Sequence, residues 1–313
     1  MKYYIGADLG TSALKLLLTD DKGKIYKSVT KEYSVEYPHE GWSEQRPEDW
    51  IDAFKRGIIE LTDEVKEKIE AICVSGQMHG LVILNKNDEV IRPVILWNDG
   101  RCYEETEYLN TVIGQEKLSE MTANIAYAGF TAPKLLWVKK NEPENFNAIS
   151  KIMLPKDYIN YYLTKIHATD YSDASGTLLL DVKRKCWSKE MLSICSIDET
   201  QMPKLFESYE VIGKIDKKVA EELGISASIK VLAGTADNAG AAIGTGTVED
   251  GKCNISLGTS GTIFISSEQF KLDDNNSLHS FCHSTGKYHL MGCMLSAASC
   301  NKWFCDEILK NKD

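Results

Sequence analysis

Along the first hundred residues the apolar positions change period more than once. The opening 35 residues alternate apolar runs with turns, "DDKG" (20–23) being the clearest, and predict a three-stranded meander. From Pro47 the spacing becomes helical: Trp50, Ala53, Phe54, Ile58 and Leu61 recur on one face, with Pro47 near N1 and Glu48 and Asp49 in the first turn. "IEAICVSG" (69–76) follows as a short buried strand ending in glycine, and "LVILNKNDEVIRPVILWND" (81–99) predicts two or three more strands around an Asn-Lys-Asn-Asp turn. The order β-β-β-α-β with a further hairpin is not the strict alternation of a dinucleotide-binding fold.

Residues 103–200 are mainly helical, with candidate helices at 103–111, 131–140, 155–164 and 188–195. Near residue 228 the pattern restarts. "SIKVLAG" reads as a strand, "TADNAGAAIGTG" as a glycine- and alanine-rich turn and helix, and "KCNISLGTSGTIFIS" as a second hairpin. The chain then ends in "SAASCNKWFCDEILKNKD", an amphipathic helix by pattern. The restart divides the chain into an α/β domain over 1–228 and a second over 229–313 that has strands but too few helices to cover both faces of a sheet.

The tetrapeptide "LGTS" occurs at 9–12 and again at 257–260, each time between two apolar runs. Each copy reads as a hairpin tip exposing backbone N–H groups and two hydroxyls. Such a tip suits phosphate oxygens, because glycine lets the backbone approach and successive N–H groups form an anion nest. Taken singly, each is equally readable as an ordinary hairpin.

Composition narrows the class. Hydrophobic residues at 43% and charged residues at 26% describe an ordinary globular protein, and a net charge of −10 argues against nucleic acid as a main partner. An anionic ligand would then need a local positive site. The start has no signal-peptide pattern and no stretch is apolar long enough to span a bilayer, so the expected location is the cytoplasm, without membrane attachment. Nine cysteines without C-x-x-C pairs fit a reducing compartment. "HSFCHSTGKYH" (279–289) gathers three histidines and a cysteine, but its spacing matches no standard zinc pattern and it reads as two strands around a Ser-Thr-Gly turn.

Asp8 ends a buried strand before the first turn, with Lys15 on the returning strand. A carboxylate there suits Mg²⁺ or a metal-bound water beside a phosphate; it equally suits an Asx-turn cap. "SGQMHG" (75–80) places Gln77, Met78 and His79 between glycines at a strand junction, where His79 could donate to a substrate hydroxyl or be a satisfied structural histidine. "ILWNDGR" (95–101) offers Trp97, Asn98, Asp99 and Arg101. An indole face with amide and carboxylate neighbours suits a polyol; the alternative is a strand entering a turn. Asp237 in "AGTADNAG" lies at a strand-to-helix turn between Gly234 and Gly240, either as a general base toward a hydroxyl attacking a phosphoryl group or as an N-cap.

Together these segments resemble the FGGY carbohydrate kinases, a branch of the actin/Hsp70/hexokinase-like ATPase superfamily. The resemblance is carried by "DLGTSALK" (8–15), "SGQMHG" (75–80), "VILWNDGR" (94–101), "GFTAPKLLWVKKN" (129–141), "LPKDYINYYLT" (154–164), "TDYSDASGTLLLDV" (169–182), "GTADNAGAAIG" (234–244) and "SLGTSG" (256–261). Each motif is weak, and eight in the family's order are strong. "QMHG" followed by "WNDGR" resembles the xylulokinase branch rather than glycerol kinases.

The resemblance implies a ribonuclease H-like, actin-like ATPase fold with two related domains across a cleft, each giving one phosphate hairpin. It implies ATP, Mg²⁺ and a small sugar, D-xylulose first and gluconate, a pentitol or another ketose as alternatives. Asp8 would position Mg²⁺ and phosphates, and Asp237 would be the catalytic base. Met78 and His79 would contact the sugar, with Trp97, Asn98 and Asp99 nearby. Gly10, Thr11, Ser12 and Lys15 would form the first phosphate site, and Gly258, Thr259 and Ser260 the second. Family members continue well past the point where this sequence stops, so either a fragment or a naturally short member is expected. A non-catalytic sugar-binding fragment and a homodimer are then both expected alternatives.

Overall fold

The computed structural model describes residues 2–65, 68–258 and 260–310. Its main sheet has seven strands. The meander forms β1 (Tyr3–Leu9), β2 (Ala13–Asp20) and β3 (Ile25–Glu32), paired antiparallel in sequence order. After α1 (Pro47–Thr62), β4 (Ile69–Gly76) returns parallel to β1. The far side is built much later by β5 (Val211–Lys214), β6 (Lys230–Leu232) and β7 (Thr235–Ala236). β6 and β7 both run parallel to β4, and β5 pairs antiparallel with β6.

Two-residue alternation gives the sheet two unlike faces. On β1, Ile5, Ala7 and Leu9 are buried, while Gly6 and Asp8 point the other way. On β2 the same holds for Leu14, Leu16 and Leu18 against Lys15. The apolar face packs on α1 through Trp50, Phe54, Ile58 and Leu61, all essentially inaccessible. It also packs on α2 (Pro155–Thr164) and α3 (Lys217–Leu223). The opposite face keeps Asp8 and Lys15 open, which is the first condition for a site.

Residues 103–200 are mainly helical, as their pattern predicts, with helices at 103–108, 131–141, 155–164 and 189–194. The first of these runs on through a wide π-type turn (109–114) into an unexpected helix at 115–122. Their core joins Met78, Leu118, Phe130, Leu135, Leu179 and Met191.

The restart near 228 is not where the first sheet ends. The strand in "SIKVLAG" is β6, and with β7 it is hydrogen-bonded into the main sheet beside β4. Local pattern could not reveal this, because β6 and its neighbour β4 are about 150 residues apart in sequence and parallel pairing leaves no turn signal. A second sheet unit follows α4 (Asp237–Gly244), and its Phe264, Phe281 and Met291 share a core with the helical region. It is a four-stranded antiparallel sheet of β8 (Cys253–Leu257), β9 (Gly261–Ser267), β10 (His279–Cys282) and β11 (Tyr288–Met294), in the order β8-β9-β11-β10. The C-terminal segment forms a short helix (298–303) and a π-type turn (304–309), with no buried residue in either.

Candidate active site

Strand register brings two aspartates together. Ser75 of β4 lies opposite Asp8 of β1 on one side and opposite Thr235 of β7 on the other. Asp237, two residues after Thr235, therefore opens α4 beside the end of β1. Gly234 makes this junction possible: its φ is +83°, and a Cβ there would lie 2.0 Å from the Val74 carbonyl oxygen. Asp237 is the first helical residue and not the N-cap, and Asp8 is paired within its strand and does not cap the turn.

Both aspartates line an open cavity of about 780 Å³, with Lys15, Ser75 and Asn238 among its polar walls and Leu17, Leu232 and Ile243 among its apolar ones. Burial pushes the Asp237 carboxyl up to about 7. The Asn238 backbone N–H, which donates to Oδ1 at 2.6 Å, opposes the shift, and the charge of Asp8 adds to it. Burial also raises Asp8, against the pull of Lys15. Two carboxylates whose charges resist each other in a cleft are a common form of acid–base site.

A second group forms around the "QMHG" turn. His79 has a left-handed backbone, φ +70°, a conformation a non-glycine residue holds only when its surroundings enforce it. Here the enforcement is explicit. The His79 carbonyl accepts from Thr131 Oγ1 at 3.1 Å and from Nζ of the fully buried Lys134 at 2.9 Å. Its ring stacks on Phe130 at 4.7 Å, and Nδ1 lies 2.6 Å from the Gly176 carbonyl. Burial lowers the imidazole to about 3, so the ring is neutral at physiological pH. A carbonyl partner requires Nδ1 to carry the proton, which leaves Nε2 as an acceptor. In this state the free ring nitrogen, Nε2, can accept from a neighbouring hydroxyl and cannot donate to it. Met78 is buried beside it, and a Cβ at Gly176 would lie 2.7 Å from both Met78 Cε and the imidazole.

Trp97 and Thr11 do something other than offer free groups. Trp97 Nε1 donates to Thr11 Oγ1 at 3.0 Å, and Thr11 Oγ1 donates to Gln77 Oε1 at 3.1 Å. Gln77 Nε2 donates to Gln45 Oε1 at 2.9 Å, and Gln45 Nε2 returns to the Thr11 carbonyl at 2.6 Å. This closed ring fixes the first hairpin, which is also held by the Gly10 N–H to Ala13 carbonyl bond and by Tyr33 donating to the Gly10 carbonyl. Ser12 is exposed at the tip. Asn98 is exposed, whereas Asp99 is buried in a bidentate pair with Arg101 and also accepts from the Ser43 N–H at 2.6 Å. Its carboxylate is committed to structure.

The second "LGTS" does form a hairpin tip, between β8 and β9, closed by Gly258 N–H to the Ser260 carbonyl. Gly258 is exposed and Ser260 half-buried, and Thr259 falls outside the described residues. The structure thus brings Asp8, Lys15 and Asp237 into one cavity, and packs Met78 and His79 together against Phe130 and Gly176, outside the lining of that cavity. Among the described residues, neither group includes Gly258 or Ser260.

The donor set suits a hydrated magnesium ion. Mg²⁺ is usually held by one or two carboxylates together with phosphate oxygens and water, and Asp8 offers a carboxylate open to the cavity beside Lys15. Among the described residues no group of three or more His, Cys, Asp or Glu forms a protein cage for a metal. The histidines of 279–289 instead pack in a ring stack, His289 lying on Phe264 at 3.9 Å and His279 on Phe281 at 5.3 Å.

The N-terminal domain model of the FGGY family of carbohydrate kinases matches residues 3–244. The chain belongs to this family. Its similarity is to FGGY proteins named as xylulose kinases: that of Escherichia coli K12 is 44% identical over 302 residues, covering 96% of this chain and 62% of the relative. That of Bacillus subtilis 168 is 41% identical, covering 97% and 62%. Among solved structures, a ligand-bound xylulose kinase from Lactobacillus acidophilus superposes with a TM-score of 0.95 at 30% identity, over all of this chain and 64% of that one. A gluconate kinase from the same organism gives 0.95 at 31% identity, covering 100% and 63%.

The chain therefore spans a little under two thirds of the length of the relatives it matches. The actin-like α/β fold of the FGGY kinases is the fold of this chain. The family match ends at residue 244, where α4 ends.

Two residues at these sites escaped the sequence reading. Asn238 lines the cavity and donates to Asp237 through both its backbone and side-chain nitrogens, the latter at 3.0 Å. Lys134 holds the strained turn at His79. Asn238 had a signal, because it adjoins the candidate base, whereas a lysine in a helix predicts a solvated face.

Proposed function

We propose that this chain carries the sugar site and the phosphoryl-transfer aspartates of an ATP-dependent D-xylulose kinase, forming D-xylulose 5-phosphate. The single observation that carries the reading is the facing pair Asp8 and Asp237 in one cavity, with the Asp237 carboxyl raised to about 7. MgATP supplies the γ-phosphoryl group, with Asp8 as the residue that would hold the metal side and Lys15 that would meet phosphate oxygens. Asp237 orients the terminal hydroxyl of the sugar and takes its proton as the new O–P bond forms. A loose transition state asks for that proton late, so a carboxylate is basic enough. Asn238 keeps the carboxylate aimed.

His79 Nε2 accepts from a sugar hydroxyl, and Met78 and the Trp97 indole face supply apolar walls for C–H surface. Asn98 offers an amide at the rim. The hairpin at Gly10 and Ser12, steadied by Thr11, and the one at Gly258, Thr259 and Ser260 would approach the phosphates. The protein is expected to act in the cytoplasm; no helix among the described residues is long and apolar enough to cross a membrane.

A second reading, gluconate as the acceptor, is favoured by one observation: the neighbour named as a gluconate kinase superposes as well as the one named as a xylulose kinase. Isothermal titration with D-xylulose, gluconate and xylitol separates them. The expected result is D-xylulose binding that His79→Ala weakens at least about tenfold, the worth of one or two buried hydrogen bonds. Equal binding of gluconate to parent and variant would move the assignment.

A further inference from the structure

Two motifs remain without a role, "LPKDYINYYLT" and "TDYSDASGTLLLDV". The structure packs their charged residues together. Lys156, Asp157, Asp170 and Asp173 are all completely buried, with Lys156 Nζ 2.7 Å from Asp157, 3.0 Å from Asp170 and 3.7 Å from Asp173. One ammonium faces three carboxyls. Burial raises Asp173 well above the ordinary carboxylate range, with Lys156 opposing the shift and the neighbouring acids adding to it. Such a cluster is an expensive way to fill a core, since each ion removed from water costs several kcal/mol and apolar replacements are often more stable.

What the cluster holds is specific. Asp170 ends a short strand (168–170) and caps the helical turn Tyr171–Ala174 by accepting from the Ser172 N–H at 2.9 Å. The same oxygen, Oδ2, accepts from Ser172 Oγ at 2.5 Å and Ser208 Oγ at 2.6 Å. With its proton committed to Asp170, Ser172 Oγ is an acceptor, and it takes the backbone N–H of Ala236 at 3.0 Å. Ala236 is the last residue before Asp237. Thr235 Oγ1 lies 3.2 Å from Ser172 Oγ and hydrogen bonds to Ser284 Oγ in the second unit. Ser208, Thr235 and Ser284 all reach the wall of the Asp8–Asp237 cavity.

We propose that Lys156, Asp170, Ser172 and Thr235 form a positioning device for Asp237, clamping the Ala236 peptide so that the carboxylate enters the cavity at a fixed point. This rests on Asp237 being the base. Lys156 pairs with Asp170 in the dry interior at 3.0 Å. Asp170, as the acceptor, keeps the Ser172 hydroxyl turned, and the turned hydroxyl fixes Ala236. The strand β7 supplies only two residues of pairing, so the clamp provides much of the restraint at the junction. Ionisable groups facing Asp237 include Asp8 on β1, Asp173 on the helical turn and Cys293 on β11.

The test uses Ser172→Ala, which removes the acceptor with little change in volume, and the isosteric Thr235→Val as a second variant should the first not fold. Steady-state kinetics with the sugar and MgATP are combined with carbon-13 titration of aspartate carboxyls in the unliganded chain, in which Asp237 is assigned by its loss in Asp237→Asn. Ser172→Ala is expected to lower kcat on the order of tenfold to a hundredfold, as a misplacement of about 1 Å does. Its sugar KM should stay within about threefold and its Asp237 titration midpoint should move by about half a unit or more. Ser172→Thr, which restores an acceptor, should recover kcat. Thr235→Val should show the same pattern, weaker.

Parental kcat and an unmoved Asp237 midpoint in the folded variants would overturn the proposal, as would equal changes in kcat and KM. If no sugar is turned over by the parent chain yet the Asp237 midpoint moves in Ser172→Ala, the clamp stands and the kinase reading falls. If turnover is present and only the clamp readouts are silent, the kinase reading stands and the clamp falls.

Discussion

Asp237 is half-buried beside a second carboxylate, and its behaviour with pH follows from that position. A base must be ionised to act, so kcat/KM should rise with pH through about 7 with a single proton dependence. Asp237→Asn should lower kcat at least about a hundredfold and abolish that limb. Stability runs the other way. The folded carboxyl binds its proton more tightly than the unfolded one, so its contribution is full below the ordinary aspartate range and is lost as pH rises through about 7. Melting temperatures between about pH 5 and about pH 8 should therefore fall more for the parent chain than for Asp237→Asn. Equal pH profiles would mean that the cavity does not perturb this group. His79 teaches a different lesson at the same scale. Its position between glycines was visible in the sequence, but the proposal that Nε2 accepts follows only from the Gly176 carbonyl, 97 residues away.

Among the elements, the most legible were those whose signals are local. The meander, α1 and α2 follow from turns, alternation and helical spacing, and the structure has them at nearly the residues the pattern indicates. The second hairpin and the two strands around Ser284-Thr285-Gly286 are also present. The parallel strands β6 and β7 were legible as strands but not as members of the first sheet, because their partner β4 is remote in sequence. Buried ionic contacts such as Arg101 with Asp99 and Glu44, or Lys156 with three aspartates, were likewise invisible: spacing does not report burial. The element that matters most for chemistry is the β7–α4 junction, and Gly234 is its critical residue. Gly234→Ala combines a left-handed backbone with a Cβ against the Val74 carbonyl. The expected cost is about 2–4 kcal/mol, read as a shift in denaturant midpoint, with unchanged stability contradicting the close approach.

Over the whole molecule the two units differ in finish. The main sheet is closed on one face by a dense core, whereas the second unit leaves large apolar side chains exposed. Ile255, Leu257 and Ile263 on β8 and β9 are 61%, 76% and 47% exposed, with Met294, Leu295, Trp303 and Ile308 nearby in sequence also open. Exposed apolar side chains of this kind favour association where they form a patch. Sedimentation velocity is expected to show the 313-residue chain associating with itself as concentration rises, and Leu257→Lys should reduce it; a single concentration-independent monomer boundary would contradict this.

The central proposal for this chain is that Asp237 acts as the base for phosphoryl transfer to a sugar. The direct measurement is sugar-dependent ADP release by this chain with MgATP and D-xylulose, compared with Asp237→Ala. Release that requires the sugar and disappears in the variant is expected. Release that persists in Asp237→Ala, or none with D-xylulose or any rival sugar, would contradict it.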